Sequence, residues 1–121
     1  MRYILTVLVL MTMLFLAGCR DVDENKPLDS VRNEALKMDA KELTAVVKDY
    51  RDAIVTKRYE LSERVTKLHG MPVNRLKSSA GRAVKADISK LSRSVDALRR
   101  RYDIYSEHLR DKGASLQGLG L

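Results

Sequence analysis

Apolar residues recur along the chain from about residue 34 at alternating spacings of four and three, which places them on one face of an α-helix. The first run comprises Leu36, Ala40, Leu43, Val47, Tyr50, Ile54, Leu61 and Leu68. A seven-residue repeat of this kind is typical of helices that pack as a left-handed coiled coil. Val46, Ala53 and Val65 widen the apolar face, which favours a helix bundle. We predict a helix over about 34–68.

This first run ends at His69-Gly70-Met71-Pro72, where Gly and Pro are typical residues just beyond a helix. A second run follows at Val73, Leu76, Ala80, Val84, Ile88, Leu91, Val95, Leu98, Tyr102, Tyr105 and Leu109. We predict a second helix over about 73–112. Two successive spacings of four around Gly81 leave a break near Ser78–Gly81 open, with residues 73–78 then forming part of a long connection.

Two helices of similar length joined by a short break predict an all-α fold, a long antiparallel helical hairpin resembling a coiled coil. Two helices alone leave half of each wide apolar face uncovered. We therefore expect the hairpin to complete a bundle, either as a homo-oligomer or with a helical protein partner, and the sequence leaves both open. Residues 113–121 follow the last periodic position and are predicted to be a flexible tail.

Polar residues within the two apolar faces have two interpretations. Lys57 and Arg64 occupy seam positions of the first helix. They either fix the register of packing or, as we favour, lie at the rim with their aliphatic stems along the apolar face. Tyr50, Tyr102 and Tyr105 are expected in the core or an interface, with each hydroxyl at the edge.

The residues before the first helix divide into two parts. Residues 19–33 are polar and aperiodic and predict a flexible tether. Upstream, Arg2 precedes an apolar segment from Tyr3 to Phe15, and the small residues Ala17 and Gly18 come directly before the single cysteine of the chain. This order of a positive start, an apolar segment and small residues is typical of a secretory signal.

Leu16-Ala17-Gly18-Cys19 resembles the lipobox of bacterial lipoproteins. The resemblance implies a signal peptide over 1–18, cleavage before Cys19, a diacylglycerol on its thiol and an acyl chain on its new amino group. No other cofactor is expected, and the attached lipid would hold the protein on a membrane. An uncleaved transmembrane helix is the alternative, but residues 3–18 are shorter than the roughly 20 residues that a spanning helix needs.

Arg20 follows the lipobox cysteine, whereas an Asp there resembles the inner-membrane retention signal of enteric-type bacteria. The expected location is therefore the cell envelope, lipid-anchored, on the outer membrane facing the periplasm if the host has two membranes.

The charge of the chain is uneven. The chain has 23 Lys and Arg against 16 Asp and Glu. Only Asp87 and Asp96 oppose a run of basic residues in the second helix, which is Arg75, Lys77, Arg82, Lys85, Lys90, Arg93, Arg99, Arg100 and Arg101. These predict a binding face for an anionic envelope surface, and an ordinary solvated helix face is the alternative. Export argues against a nucleic-acid partner.

Candidate catalytic and metal-binding residues are few. His69 and His108 belong to opposite ends of the predicted hairpin, and Glu107, His108 and Asp111 would supply too few ligands for zinc. We expect no enzymatic activity, no catalytic residue and no metal site. The expected function is that of a membrane-anchored exported lipoprotein, a non-catalytic binding or scaffolding module at the envelope. The alternative is a regulatory or inhibitory partner subunit of an envelope transport, secretion or exclusion system.

Overall fold

The computed structural model describes residues 22–121, so the predicted signal peptide, the sequence that resembles a lipobox and Cys19 lie outside the described residues. Within that range the fold is all-α. Its helices are α1 (Leu28–Lys37), α2 (Ala40–His69), α3 (Val73–Leu76) and α4 (Ser79–Asp111). The long helices α2 and α4 pack against each other as an antiparallel hairpin, since Tyr50 contacts Tyr105 while Arg64 lies near Asp87. The predicted fold class and helical hairpin are confirmed.

The buried core lies in one half of the hairpin, which we call the proximal half and which comprises residues 40–54 of α2 and 95–111 of α4. Its buried apolar residues are Val31, Ala35, Leu43, Val46, Val47, Tyr50, Ile54, Val95, Leu98, Tyr102, Tyr105 and Leu109. The distal half, residues 55–69 and 79–94, lies next to the turn. There Val84 is buried, but the apolar residues Leu61, Val65, Leu68, Ile88 and Leu91 are only partly buried.

The expected flexible tether is wrong for residues 28–33, because they form the start of α1. Val31 and Ala35 lie four residues apart on one face of this helix and are fully buried against the hairpin. Leu36 was expected in the apolar seam but is 68% exposed. The reason is that α1 ends at Lys37, so Leu36 does not share a face with the residues of α2.

The interruption between α1 and α2 has a local cause. The backbone of Met38 is extended, with ψ 141°, and the side chain of Asp39 accepts a hydrogen bond from the backbone N–H of Glu42 at 2.8 Å. This bond satisfies one of the amide groups left free at a helix start, so Asp39 begins a new helix. A single helix starting near residue 34 is therefore wrong.

At the distal turn, α2 ends at His69, and Pro72 directly precedes α3. The predicted single helix over 73–112 is wrong. The alternative break near Ser78–Gly81 is confirmed at its first residue, since α3 ends at Leu76 and α4 begins at Ser79, while Gly81 lies inside α4. Gly81 is buried under the end of α3. A Cβ atom there would lie 2.6 Å from the carbonyl oxygen of Arg75, so only glycine lets α3 approach α4 this closely.

The expected flexible tail is also wrong, since residues 114–119 fold back onto the proximal half. Gly113 has a φ of 76°, which reverses the chain after α4. Ala114, Leu116 and Leu119 then pack against the core, and the Tyr102 hydroxyl donates to the Leu119 carbonyl at 2.6 Å. In the proximal half, the tail thus covers part of the apolar face that a second copy or a partner was expected to cover.

Candidate interaction surfaces

Most of the predicted basic residues are exposed, but they do not form one face. Five exposed residues of α4 lie on its solvent-facing and tail-facing sides, with Arg99 the nearest of them to the buried face because it is one heptad before Ser106, and we call these five the outer basic surface: Arg82, Lys85, Arg93, Arg99 and Arg100. Arg75 and Lys77 are exposed around α3 at the distal turn. Lys90 is exposed on the flank of α4 beside residues 24 and 25.

The cations of the outer basic surface are not neutralised by ion pairs with neighbouring side chains of the described residues. Within residues 22–121, none of its five side chains takes part in an ion pair. Asp96 lies among them, and the exposed Asp103 follows one turn after Arg99, while Asp87 is turned to the flank, where its carboxylate lies 3.9 Å from Arg64. An excess of unpaired cations on one side of a helix produces a positive potential that attracts anionic partners.

Arg101 does not belong to this surface, which corrects the sequence prediction. Its side chain is buried, with 8% of the residue exposed. Its Nε and Nη2 atoms donate to the Lys26 carbonyl oxygen at 3.0 and 2.6 Å, and Nη1 donates to the Ala97 carbonyl oxygen at 2.6 Å. The guanidinium therefore fastens the segment before α1 to α4 and is not exposed to an external anion.

The segment of residues 22–27 is fixed to the hairpin by further polar contacts. The backbone N–H of Asp23 donates to the Tyr50 hydroxyl at 3.3 Å. The ammonium of Lys26 lies 2.5 Å from the Glu34 carboxylate, which also accepts a hydrogen bond from the Tyr105 hydroxyl at 3.2 Å. These bonds tie together residues from before α1, from α1 itself and from both long helices.

Tyr50 lies at the centre of these contacts and stacks on Tyr105, with ring centroids 5.4 Å apart and planes tilted by 38°. Burial raises the pKa of the Tyr50 hydroxyl above 10.0, because the charged phenolate would lose its hydration. The hydrogen bond with the Asp23 backbone and the nearby charges of Lys26 and Arg101 oppose this shift in pKa.

An apolar patch is exposed on α2, on the side away from α1. Val55 and Tyr59, four residues apart on α2, are 50% and 68% exposed. They follow Arg51, whose Nε donates to the Gly120 carbonyl oxygen at 3.1 Å, so the patch begins where the tail ends. Sequence analysis missed both residues because neither belongs to the heptad positions.

The polar seam residues lie at the rim of the hairpin. Lys57 is partly buried and Arg64 is exposed, and both border a depression with Asp87 and Lys90. The 3.9 Å contact between Arg64 and Asp87 joins two exposed groups, which contributes little to stability.

The two histidines lie at opposite ends of the hairpin, as the sequence predicted. His69 ends α2 at the distal turn, while His108 lies near the end of α4, with Nδ1 2.8 Å from the Ile104 carbonyl oxygen. Among residues 22–121 no three His, Cys, Asp or Glu side chains cluster as metal ligands would. None of the helices described is long and apolar enough to cross a bilayer.

No protein-family model, curated protein or solved structure gives a significant match to this chain.

Proposed function

We propose that this protein is a lipid-anchored envelope lipoprotein that acts as a non-catalytic binding or scaffolding module. Cys19 carries the lipid, the hairpin is the rigid body, and the outer basic surface binds an anionic component of the envelope. The observation that carries the proposal is the set of five exposed cations on the outer basic surface of α4, none of which has an ion-pair partner among residues 22–121.

The geometry of this surface suits an extended anionic partner. Arg82 to Arg100 cover about 27 Å of helix at a rise of about 1.5 Å per residue. This length exceeds the Debye length of about 10 Å at 0.1 M salt, so each cation attracts only the part of a partner that lies close to it. The attraction weakens as salt is added. Binding that depends on many such contacts should therefore be sensitive to salt.

The binding proposal is tested with the double variant Arg99→Gln, Arg100→Gln, assayed on vesicles that contain phosphatidylglycerol and on peptidoglycan fragments. We expect a loss of affinity on at least one of these surfaces that shrinks as salt is raised. The matched control is Lys48→Gln, Lys67→Gln, which removes two exposed charges from α2 and should retain binding. Equal losses in both variants, or binding unaffected by salt, would contradict the proposal.

The lipid anchor is tested separately with Cys19→Ser. Without the thiol, no diacylglycerol can be attached, so the expected product is an uncleaved precursor that takes up no labelled palmitate. Arg20→Ser is the control and should be labelled like the wild type. Normal labelling of the Cys19 variant would refute the lipobox resemblance.

A second candidate function, a regulatory or inhibitory partner subunit, is favoured by the exposed Val55 and Tyr59 and the partly buried distal half. A helix from another protein could cover both. Replacing Val55 and Tyr59 with Ser should then abolish a defined complex that is recovered by crosslinking in the envelope. Light scattering on the purified protein separates this from self-association, since a homo-oligomer lost in the same variant would favour the scaffold.

A further inference from the structure

We infer that the folded segment before α1 holds the hairpin side-on against the bilayer that carries the Cys19 lipid, with the flank that bears α1 facing the lipid head groups. This inference rests on the lipidation proposed above. It replaces the picture of a domain at the end of a flexible tether with one of a body fixed close to the membrane.

The chain that leads from Cys19 joins the folded body within the proximal half, away from both ends of the hairpin. Asp23 is bound to Tyr50, and Lys26 is bound to Arg101. Tyr50 and Arg101 are each ten residues from the proximal ends of their helices, a distance of about 15 Å at about 1.5 Å per residue. The distal ends lie 19 and 22 residues away, or about 29 and 33 Å.

The chain between the lipid-bearing Cys19 and the folded body is short. Cys19 and Val22 are separated by three peptide units, which span at most about 11 Å. The hairpin cannot stand on its distal end, because its point of attachment would then be about 30 Å above the bilayer. Standing on the proximal end is disfavoured, because it would put the Tyr50 backbone more than about 15 Å above the bilayer once the loops at residues 38–39 and 113–116 are added beyond the helices. A side-on arrangement fits within the available reach.

The segment before α1 and the tail lie on different flanks of α4, and this determines which flank faces the bilayer. Glu24 and Asn25 lie beside Lys90 and Arg93 on one flank of α4. The tail residue Leu116 lies beside Asp103 and Arg110 on the other. Because the lipid-bearing chain leaves from the flank of α1, that flank must face the membrane.

The membrane-facing flank has exposed residues along its whole length. Leu36 is exposed on α1, Lys90 near the middle of α4 and Arg64 towards the distal turn. Acidic side chains are mixed among the basic ones here, since Glu60 and Asp87 border the same depression as Lys90. The contact therefore depends on the anchor and not on net charge, and it should persist at high salt.

One consequence concerns the outer basic surface. Arg93 and Arg100 line a depression together with Leu28 of α1, so they border the membrane-facing flank, whereas Lys85 and Arg99 lie towards the tail side of α4. An anionic partner that binds Lys85 and Arg99 thus approaches from the tail side, whereas Arg93 and Arg100 lie close to the bilayer that the α1 flank faces.

The test uses the full-length protein, purified with its lipid and reconstituted in vesicles with spin-labelled head groups. Because the thiol of Cys19 is blocked by the lipid, one introduced cysteine gives a unique site for a fluorophore. The variants are Leu36→Cys, Arg64→Cys and Lys90→Cys on the membrane-facing flank, with Val55→Cys and Tyr59→Cys as controls on the other. We expect strong quenching at 36, 64 and 90, weak quenching at 55 and 59, and no change at high salt.

Each other pattern would overturn the inference. Quenching at residue 36 but not at 64 would mean that the hairpin stands on its proximal end. Strong quenching at 55 and 59 would mean that the other flank faces the bilayer, and equal quenching at all five positions would mean free rotation. Mass spectrometry of each purified protein separates these results from a failure of the proposed lipidation, which would appear as an absent acyl mass.

An insertion provides a second measurement that leaves the fold intact. Twelve Gly and Ser residues placed between Cys19 and Val22 would lengthen the reach to about 50 Å. The difference in quenching between the two flanks should then disappear. If the difference survives the longer linker, the short reach is not what orients the hairpin.

Discussion

Arg101 shows how one residue in a uniform-looking run can differ from its neighbours. Arg99, Arg100 and Arg101 are adjacent in sequence, but only Arg101 is buried, with all its described hydrogen bonds made to backbone carbonyl groups. Its position directly before Tyr102 places it at the edge of the apolar face of α4. The run of charges alone predicted a surface role, because composition does not show which side chain meets a folded segment.

Replacing Arg101 with Gln should destabilise the fold, whereas Arg100→Gln should not. The shorter side chain loses its bonds to the Lys26 carbonyl oxygen, and hydrogen bonds from charged groups contribute about 1.5–3 kcal/mol. Urea unfolding followed by circular dichroism measures the difference between the two variants. The same unfolding midpoint in both would show that Arg101 does not fasten the segment before α1.

Tyr50 should make the stability of the fold depend on alkaline pH. The folded protein has the raised pKa, so it holds the hydroxyl proton more tightly than the unfolded chain, whose value is close to 10.0. The contribution to stability is therefore complete below pH 10 and is lost as the pH rises through the pKa of the folded state. We expect Tyr50→Phe to lose less stability than the wild type between about pH 9 and about pH 11.

The readout for Tyr50 is the slope of stability against pH, since removing the hydroxyl also alters the stability at neutral pH. Tyr59→Phe, which changes an exposed tyrosine, is the matched control and should keep the wild-type slope. A wild-type slope in Tyr50→Phe would place the source of the alkaline sensitivity elsewhere.

Gly81 and Gly70 offer a comparison of two glycines at the distal turn. Alanine at Gly81 would overlap the carbonyl oxygens of α3, so we expect a lower melting temperature. At Gly70 the nearest atom to an added Cβ is 3.6 Å away and φ is −82°, so alanine fits there. Calorimetry of the two variants should show a loss only for Gly81→Ala, and equal melting temperatures would contradict the close approach of α3.

At the level of elements, periodicity predicted the long helices well and the short segments poorly. The heptads identified most of the buried positions, because each long helix repeats its apolar face many times. α1 offers only Val31 and Ala35, and the tail offers Ala114, Leu116 and Leu119 without a helical period. A signal for the break before α2 does exist in the sequence, since Asp39 with Glu42 three residues later is typical of a helix start.

Ile54 and Val55 test the predicted face of α2 with adjacent residues. Ile54 is fully buried, whereas Val55 is 50% exposed. Ile54→Asp places a carboxylate in the core and should cost at least about 3 kcal/mol, while Val55→Asp should cost less than about 1 kcal/mol. Thermal melting followed by circular dichroism distinguishes them, and a similar loss in both would mean that the hairpin packs through a different face.

At the level of the whole molecule, the hairpin is unevenly supported. α1 and the tail cover the proximal half, whereas the distal half consists of α2, α4 and the single turn of α3. The apolar repeat runs through both halves without a change, so it could not show that one half would be covered and the other left partly exposed. That difference depends on contacts between residues far apart in sequence.

These distant contacts determine the order in which the protein can be completed. The hydrogen bond between Lys26 and Arg101 joins residues 75 positions apart, and the bond between Arg51 and Gly120 joins residues 69 positions apart. Closing such large loops costs more entropy than closing the short distal turn. In a chain that emerges from its N-terminus, the turn can therefore form early. The segment before α1 reaches its final place only after almost the whole polypeptide has been synthesised.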